Sequence, residues 1–237
     1  MKRIWKEATF ARAEGEGENG WAILLDGRRV KTPAKRDVIV PVEVLAQKIA
    51  AEWDAQEGDV KPLSMPLTRA AATCLDRVGP EFDNVVEMIA AYGETDLLCY
   101  RATSPEGLMQ RQTQGWDPVL EWLHDTHGVR LAVAGGVMHV AQDAKGVLKL
   151  KELVQSQDIW ALTALSEMVT ISGSLVLGLA VRQGALTVDT AWTLSRIDEQ
   201  WNIDEWGEDA DAAALAERRR SDFVRAAEFL KILGHLS

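Results

Sequence analysis

Cysteine is scarce in this 237-residue chain: Cys74 and Cys99 are the only two. Neither stands in a CxxC or Cys/His spacing, so no zinc motif and no disulfide framework is indicated, and two buried free thiols in a reducing compartment are expected. Positive charge is also in deficit. Lys+Arg 26 against Asp+Glu 36 leaves a formal net charge of −10, which argues against nucleic acid or an anionic membrane as a ligand. The longest apolar run, Leu175 to Val181, is far too short to cross a bilayer. The N-terminal MKRIWKEATFARAEGEGENG has no apolar signal core and carries acidic residues unlike a transit peptide, so a soluble cytoplasmic protein is expected. Gly135-Gly136 and GSLVLG lack the spacing of a phosphate loop, with no Lys-Ser/Thr pair after them. No nucleotide, and no other cofactor, is expected.

What is present is an ordinary globular composition, 47% hydrophobic and 26% charged, with tryptophan unusually frequent at nine. Most of these rings belong in a core, though Trp is also the side chain most enriched at binding hot spots. Arg3 to Arg12 and Trp21 to Leu25 read as strands around the flexible GEGENG, and Asp26-Gly27 is a strong turn signal before Arg28 to Thr32; Asp37 to Val40 adds a short strand. A helix follows, with Val44, Leu45, Ile49, Ala50 and Trp53 at helical spacing, placed to cover the sheet. The composition changes at the joint from Asp59 to Pro66. Beyond it Leu67 to Val78, Glu81 to Tyr92, Pro105 to His124, Val147 to Val154, Ile159 to Val169 and Ala210 to Leu233 carry helical periodicity. Val129 to Val133 and Val137 to Val140, flanking Gly135-Gly136, read as a small inserted β-hairpin. The expected fold is α+β: a small antiparallel β-rich domain over residues 1–62, then a mainly helical domain over 63–237 with the hairpin near 129–140.

The stretch from Ser172 to Asp209 organises the rest. SGSLVLGLAV is apolar on every side and belongs in the middle of a bundle. After Gly184, Thr187 caps a helix expected to run on through VDTAWTLSRIDEQWNI. Val188, Ala191, Trp192 and Ser195 share one face, and Glu199 continues that stripe near the expected C-terminal end, where the helix dipole disfavours a carboxylate. Two readings compete. Glu199 pairs with a basic side chain, Arg196 or one of Arg218, Arg219 and Arg220; or Asp198, Glu199, Glu205, Glu208 and Asp209, with Trp201 and Trp206, form a docking edge for another molecule.

His124, Asp125 and His127 lack the i, i+4 spacing of a helical metal pair, and a polar helix end is the simpler reading. Glu199, Glu205 and Asp209 have the residue type of a general acid and base, which keeps a small-molecule enzyme as the runner-up. No nucleophile elbow or Ser/His/Asp order stands beside them.

Taken together, LDGRRVKTP, LAQKIAAEWDAQ, SMPLTRAAATCLDRV, TDLLCYRA, QGWDPVLEWL and LSRIDEQWNIDEWGED resemble the successive signature segments of the ATP12 family, assembly chaperones of the F1 part of ATP synthase. The resemblance covers nearly the whole chain in order. It implies an N-terminal α+β domain and a C-terminal helical domain, no catalysis, and transient binding of the free F1 α subunit until it pairs with β. The residues in matching motifs are Trp53, Asp54 and Gln56; Asp96, Tyr100 and Arg101; Trp116 and Asp117; and Asp198, Glu199, Trp201, Trp206 and Gly207. A bacterial cytoplasmic member is expected, or a mature form from the mitochondrial matrix.

Overall fold

The computed structural model describes residues 2–15, 19–136 and 138–236. Strands β1 (Ala8–Arg12) and β2 (Trp21–Leu25) pair antiparallel, with Ala8 opposite Leu25 and Arg12 opposite Trp21. The middle of their loop, residues 16–18, lies outside the described residues. Asp26 and Gly27 both have positive φ, 46° and 78°, the geometry of a primed two-residue turn, and β3 (Arg28–Arg29) folds back on β2. The Asp26 carboxylate accepts from the backbone N–H groups of Lys6 and Glu7, which ties the turn to the start of the chain. Strand β4 (Ile39–Val40) pairs with the other end of β2.

Helix α1 (Glu43–Asp54) covers this sheet with Leu45, Ala46, Ile49, Ala50 and Trp53, whereas Val44 points to solvent. Trp53 meets Trp5 edge-on at 5.3 Å, so the ring closes the core between sheet and helix.

The remainder is helical: α2 (Pro66–Thr73), which runs into a π-helical turn over Cys74–Val78, α3 (Phe82–Ala90), α4 (Glu106–His127), α5 (Ala144–Gln155), α6 (Ile159–Ser172), α7 (Leu175–Arg182), α8 (Val188–Ser195), α9 (Ile197–Trp206) and α10 (Ala210–Ile232). Helix α7 is buried over almost its whole length and α6 over most of it, and α10 packs along α6 and buries Phe223, Ala226, Ala227, Phe229 and Leu230. Cys74 and Cys99 are buried free thiols, and burial pushes both up to about 12.

Two expectations are corrected. The segment near 129–140 does not fold back on itself among its described residues: β6 (Ala134–Gly135) pairs in parallel with β5 (Tyr100–Arg101), and Val137 lies outside them. Its partner is remote in sequence, which a local turn signal does not reveal. The helix expected to run unbroken from Val188 breaks at Arg196, whose φ of −117° is not helical. In an unbroken helix the Leu194 carbonyl would accept from the N–H of residue 198. Here it accepts from the indole N–H of Trp116 at 2.8 Å, a donor 78 positions away.

Candidate functional site

The break gives Glu199 a different setting from the one its sequence position suggested. It lies in the first turn of α9, where the helix dipole favours a carboxylate, and not at a helix C-terminus. Its side chain is 47% exposed and accepts from Arg196 at 2.8 Å, three residues before it. Arg196 in turn lies over the Trp192 ring at 5.6 Å.

One face of α9 is fixed by α4. Gly107, Arg111 and Gly115 follow one another at four-residue steps along α4, a ridge against which α9 lies. A Cβ at Gly107 would stand 2.6 Å from the Trp201 ring, and one at Gly115 would stand 2.8 Å from both Leu194 and Ile197. Any larger residue at either position would have to push these side-chain ends aside. Arg111 stacks on Trp201 at 4.7 Å and pairs with Asp204 at 2.6 Å, holding the Asp204 carboxyl below its ordinary range. Gln112, almost fully buried, uses both ends of its amide: Oε1 accepts from the Ala102 N–H at 2.8 Å and Nε2 donates to Asp198 at 2.6 Å.

Behind this seat lies a second set of contacts. Arg101 donates to the Leu98 carbonyl at 2.9 Å, pairs with Asp117 at 2.8 Å and lies over the Trp116 ring at 5.2 Å. Asp96, wholly buried, accepts from the Leu98 N–H, the Ser174 hydroxyl and the Val176 N–H, which ties this loop to the start of α7. Burial pushes its carboxyl up to about 6 against the downward pull of these donors.

The structure therefore brings Asp96, Arg101, Trp116, Asp117, Asp198 and Trp201 into one connected body. Trp53, Asp54 and Gln56 lie at the sheet end instead: Asp54 pairs with Arg3 at 2.9 Å, and buried Gln56 ties Glu52, Lys61 and Ser64 together. Tyr100 shares a hydrogen bond with His139 at 3.2 Å beside the β5–β6 pair. His127 shares a bond with Gln183 at 2.9 Å, while Glu121, His124 and Asp125 gather their ligand atoms within 4.8 Å.

The opposite face of α9 is free. Glu205, Trp206, Gly207, Glu208 and Asp209 are all exposed, and Trp206 is 85% exposed. Gly207, at φ +88°, turns the chain, and Asp209 caps α10 by accepting from the Ala212 N–H at 2.8 Å. Between α9 and α10 opens a groove of about 470 Å³, walled by Trp192, Ile203, Trp206, Ala212, Ala213 and Ala216. Carboxylates of Glu199, Glu208, Asp209 and Glu217 stand at its rim with Arg196 and Arg220.

Sequence reasoning missed Gln112, Arg111, the two packing glycines and the alanines of α10. Glycine inside a helix is a signal for the two packing positions alone, since it costs stability unless something approaches closely.

A model of the ATP12 chaperone protein family matches residues 2–124. The mitochondrial protein atp12 of Schizosaccharomyces pombe is 27% identical over 224 residues, 90% of this chain and 76% of that protein. The mitochondrial ATP12 of Saccharomyces cerevisiae is 20% identical over 260 residues, 92% of this chain and 79% of that one. The crystal structure of Atp12 from Paracoccus denitrificans superposes with a TM-score of 0.93 at 42% identity, covering 98% of this chain and 97% of that one.

Proposed function

This chain belongs to the ATP12 chaperone family, and from that premise we propose that it serves assembly of the F1 part of ATP synthase by binding the free α subunit and preventing its aggregation until α pairs with β. The α9–α10 corner is the docking edge, made of Glu199, Glu205, Trp206, Glu208 and Asp209, with Asp198 and Trp201 holding it in place. The observation that carries this reading is a tryptophan 85% exposed beside a groove in a corner whose other side is firmly seated. A solvent-facing indole in an acidic rim suits a transient contact that covers an exposed interface and lets go of it.

The small-molecule enzyme reading fits this corner less well. Glu199, Glu205 and Asp209 are exposed rather than gathered in a dry pocket, whereas a general acid or base is tuned by burial and neighbours. The test is light scattering of isolated F1 α diluted from denaturant, with this chain and without ATP. Suppression of α aggregation at stoichiometric amounts is expected. No suppression at several-fold excess, or suppression for β and not for α, overturns the assignment.

A further inference from the structure

Helix α10 is 23 residues long, yet its buried residues begin at Phe223. The preceding 13 residues, Ala210 to Asp222, extend about 20 Å at 1.5 Å per residue without burying one side chain. Helix α9, whose other face α4 occupies, also buries none. Two helices thus diverge from Gly207 with apolar side chains on both inner walls and no described residue between them. A surface helix of this kind normally finds a cover for such a stripe.

We infer that the groove between α9 and the N-terminal half of α10 takes one α-helix of the client, apolar on its inner face and basic on its flank. This rests on the chaperone reading and adds the chemistry of the segment bound. The occupant's shape follows from the walls. Ala212, Ala213 and Ala216 let a third backbone approach to the 8–10 Å typical of packed helices, while Trp192, Ile203 and Trp206 supply the opposing ridge. Anchors spaced i, i+3, i+4 and i+7 are the pattern such a groove reads.

Its charge follows from the rim. Glu199, Glu208, Asp209 and Glu217 face the groove against only Arg196 and Arg220. Arg196 pairs with Glu199 at 2.8 Å, and Arg220 is shared between Asp189 at 3.0 Å and Glu217 at 3.8 Å, which leaves Glu208 and Asp209 at the rim without a basic partner among these two. The surplus is negative, in a chain whose net charge is −10, so lysine or arginine on the incoming helix is attracted and acid is repelled.

The experiment uses the full chain and isolated F1 α. Affinity and thermal midpoint are measured for wild type, Ala216→Trp, which fills the groove, and Ala213→Trp as a second filling variant. A photoreactive side chain at position 216 then maps the client segment by mass spectrometry. Expected are binding weakened roughly tenfold or more with an unchanged midpoint, and crosslinks spaced three and four residues apart on one lysine- or arginine-bearing helix. Wild-type affinity in both filled variants, or crosslinks confined to a strand or loop, overturns the inference and leaves the chaperone reading standing. Absence of any wild-type complex with α removes both.

Discussion

Helix α7 turns almost every side chain inward and α6 most of them, whereas α9 buries none and α10 buries none before Phe223. The two regions are equally regular as helices, so local propensity is not what separates them. In the first, packing holds each residue. In the second, one side of α9 is seated by Arg111, Gln112 and two glycines of α4, and the other side is left open. With the open side as the proposed docking edge, stability and docking are expected to reside in different side chains of the same corner, and substitutions should sort accordingly.

The largest effect on stability is expected at Trp116, where the body and the corner meet. Trp116→Ala removes a fully buried indole and the donor to the Leu194 carbonyl, and should cost about 3–5 kcal/mol in urea unfolding. A loss below about 0.5 kcal/mol, the size of a surface substitution, would mean that this ring does not hold the body and the corner together. Next is Asp96→Ala, which leaves the Ser174 hydroxyl and two backbone N–H groups without their acceptor and should cost about 1–3 kcal/mol.

Asp96 also gives the body a pH dependence opposite in sign to that of Asp204 in the corner, whose carboxyl Arg111 holds below its ordinary range. Burial raises its folded-state carboxyl from the ordinary 3.8 to about 6, so the folded chain holds this proton more firmly than the unfolded one. Its contribution is fully present below 3.8 and is lost as pH rises through about 6. Wild type should accordingly gain stability relative to Asp96→Asn as pH falls across that window, read by unfolding at a series of pH values. An unchanged difference between the two would show that the donors offset burial, and a reversed trend that they outweigh it.

Gly115→Val tests the seat itself. The new side chain collides with Leu194 and Ile197, costing about 1–3 kcal/mol and displacing α8 and α9, so affinity for F1 α should fall along with the midpoint. Glu199→Lys comes lower still. It breaks an exposed i, i+3 pair whose loss should cost under about 1 kcal/mol, yet it reverses a charge at the groove rim and should abolish α binding. A large drop in melting temperature with normal affinity in the folded fraction would make Glu199 a residue of the fold alone.

Much of this division was legible in the sequence. Asp26-Gly27, the all-round apolar SGSLVLGLAV and the capped start at Thr187 each depend on neighbours within a few positions, and each stands where expected. What escaped depends on distant partners. Trp116 takes the carbonyl that an unbroken helix would have used, so Glu199 moved from the end of one helix to the start of another. Strand β6 pairs with Tyr100–Arg101 and not with its own neighbours. The groove needed both α9 and α10 in place, because alanines at 212, 213 and 216 carry no signal of their own.

The smallest expected change in stability belongs to Trp206, and it tests the separation of the two regions most directly. Trp206→Ala removes a ring 85% exposed, so the thermal midpoint of the free chain should stay unchanged. Its affinity for isolated F1 α, measured on the same preparation, should fall roughly thirtyfold or more, the scale of an aromatic hot spot. Wild-type affinity, or a binding loss that merely tracks a lowered midpoint, contradicts the account.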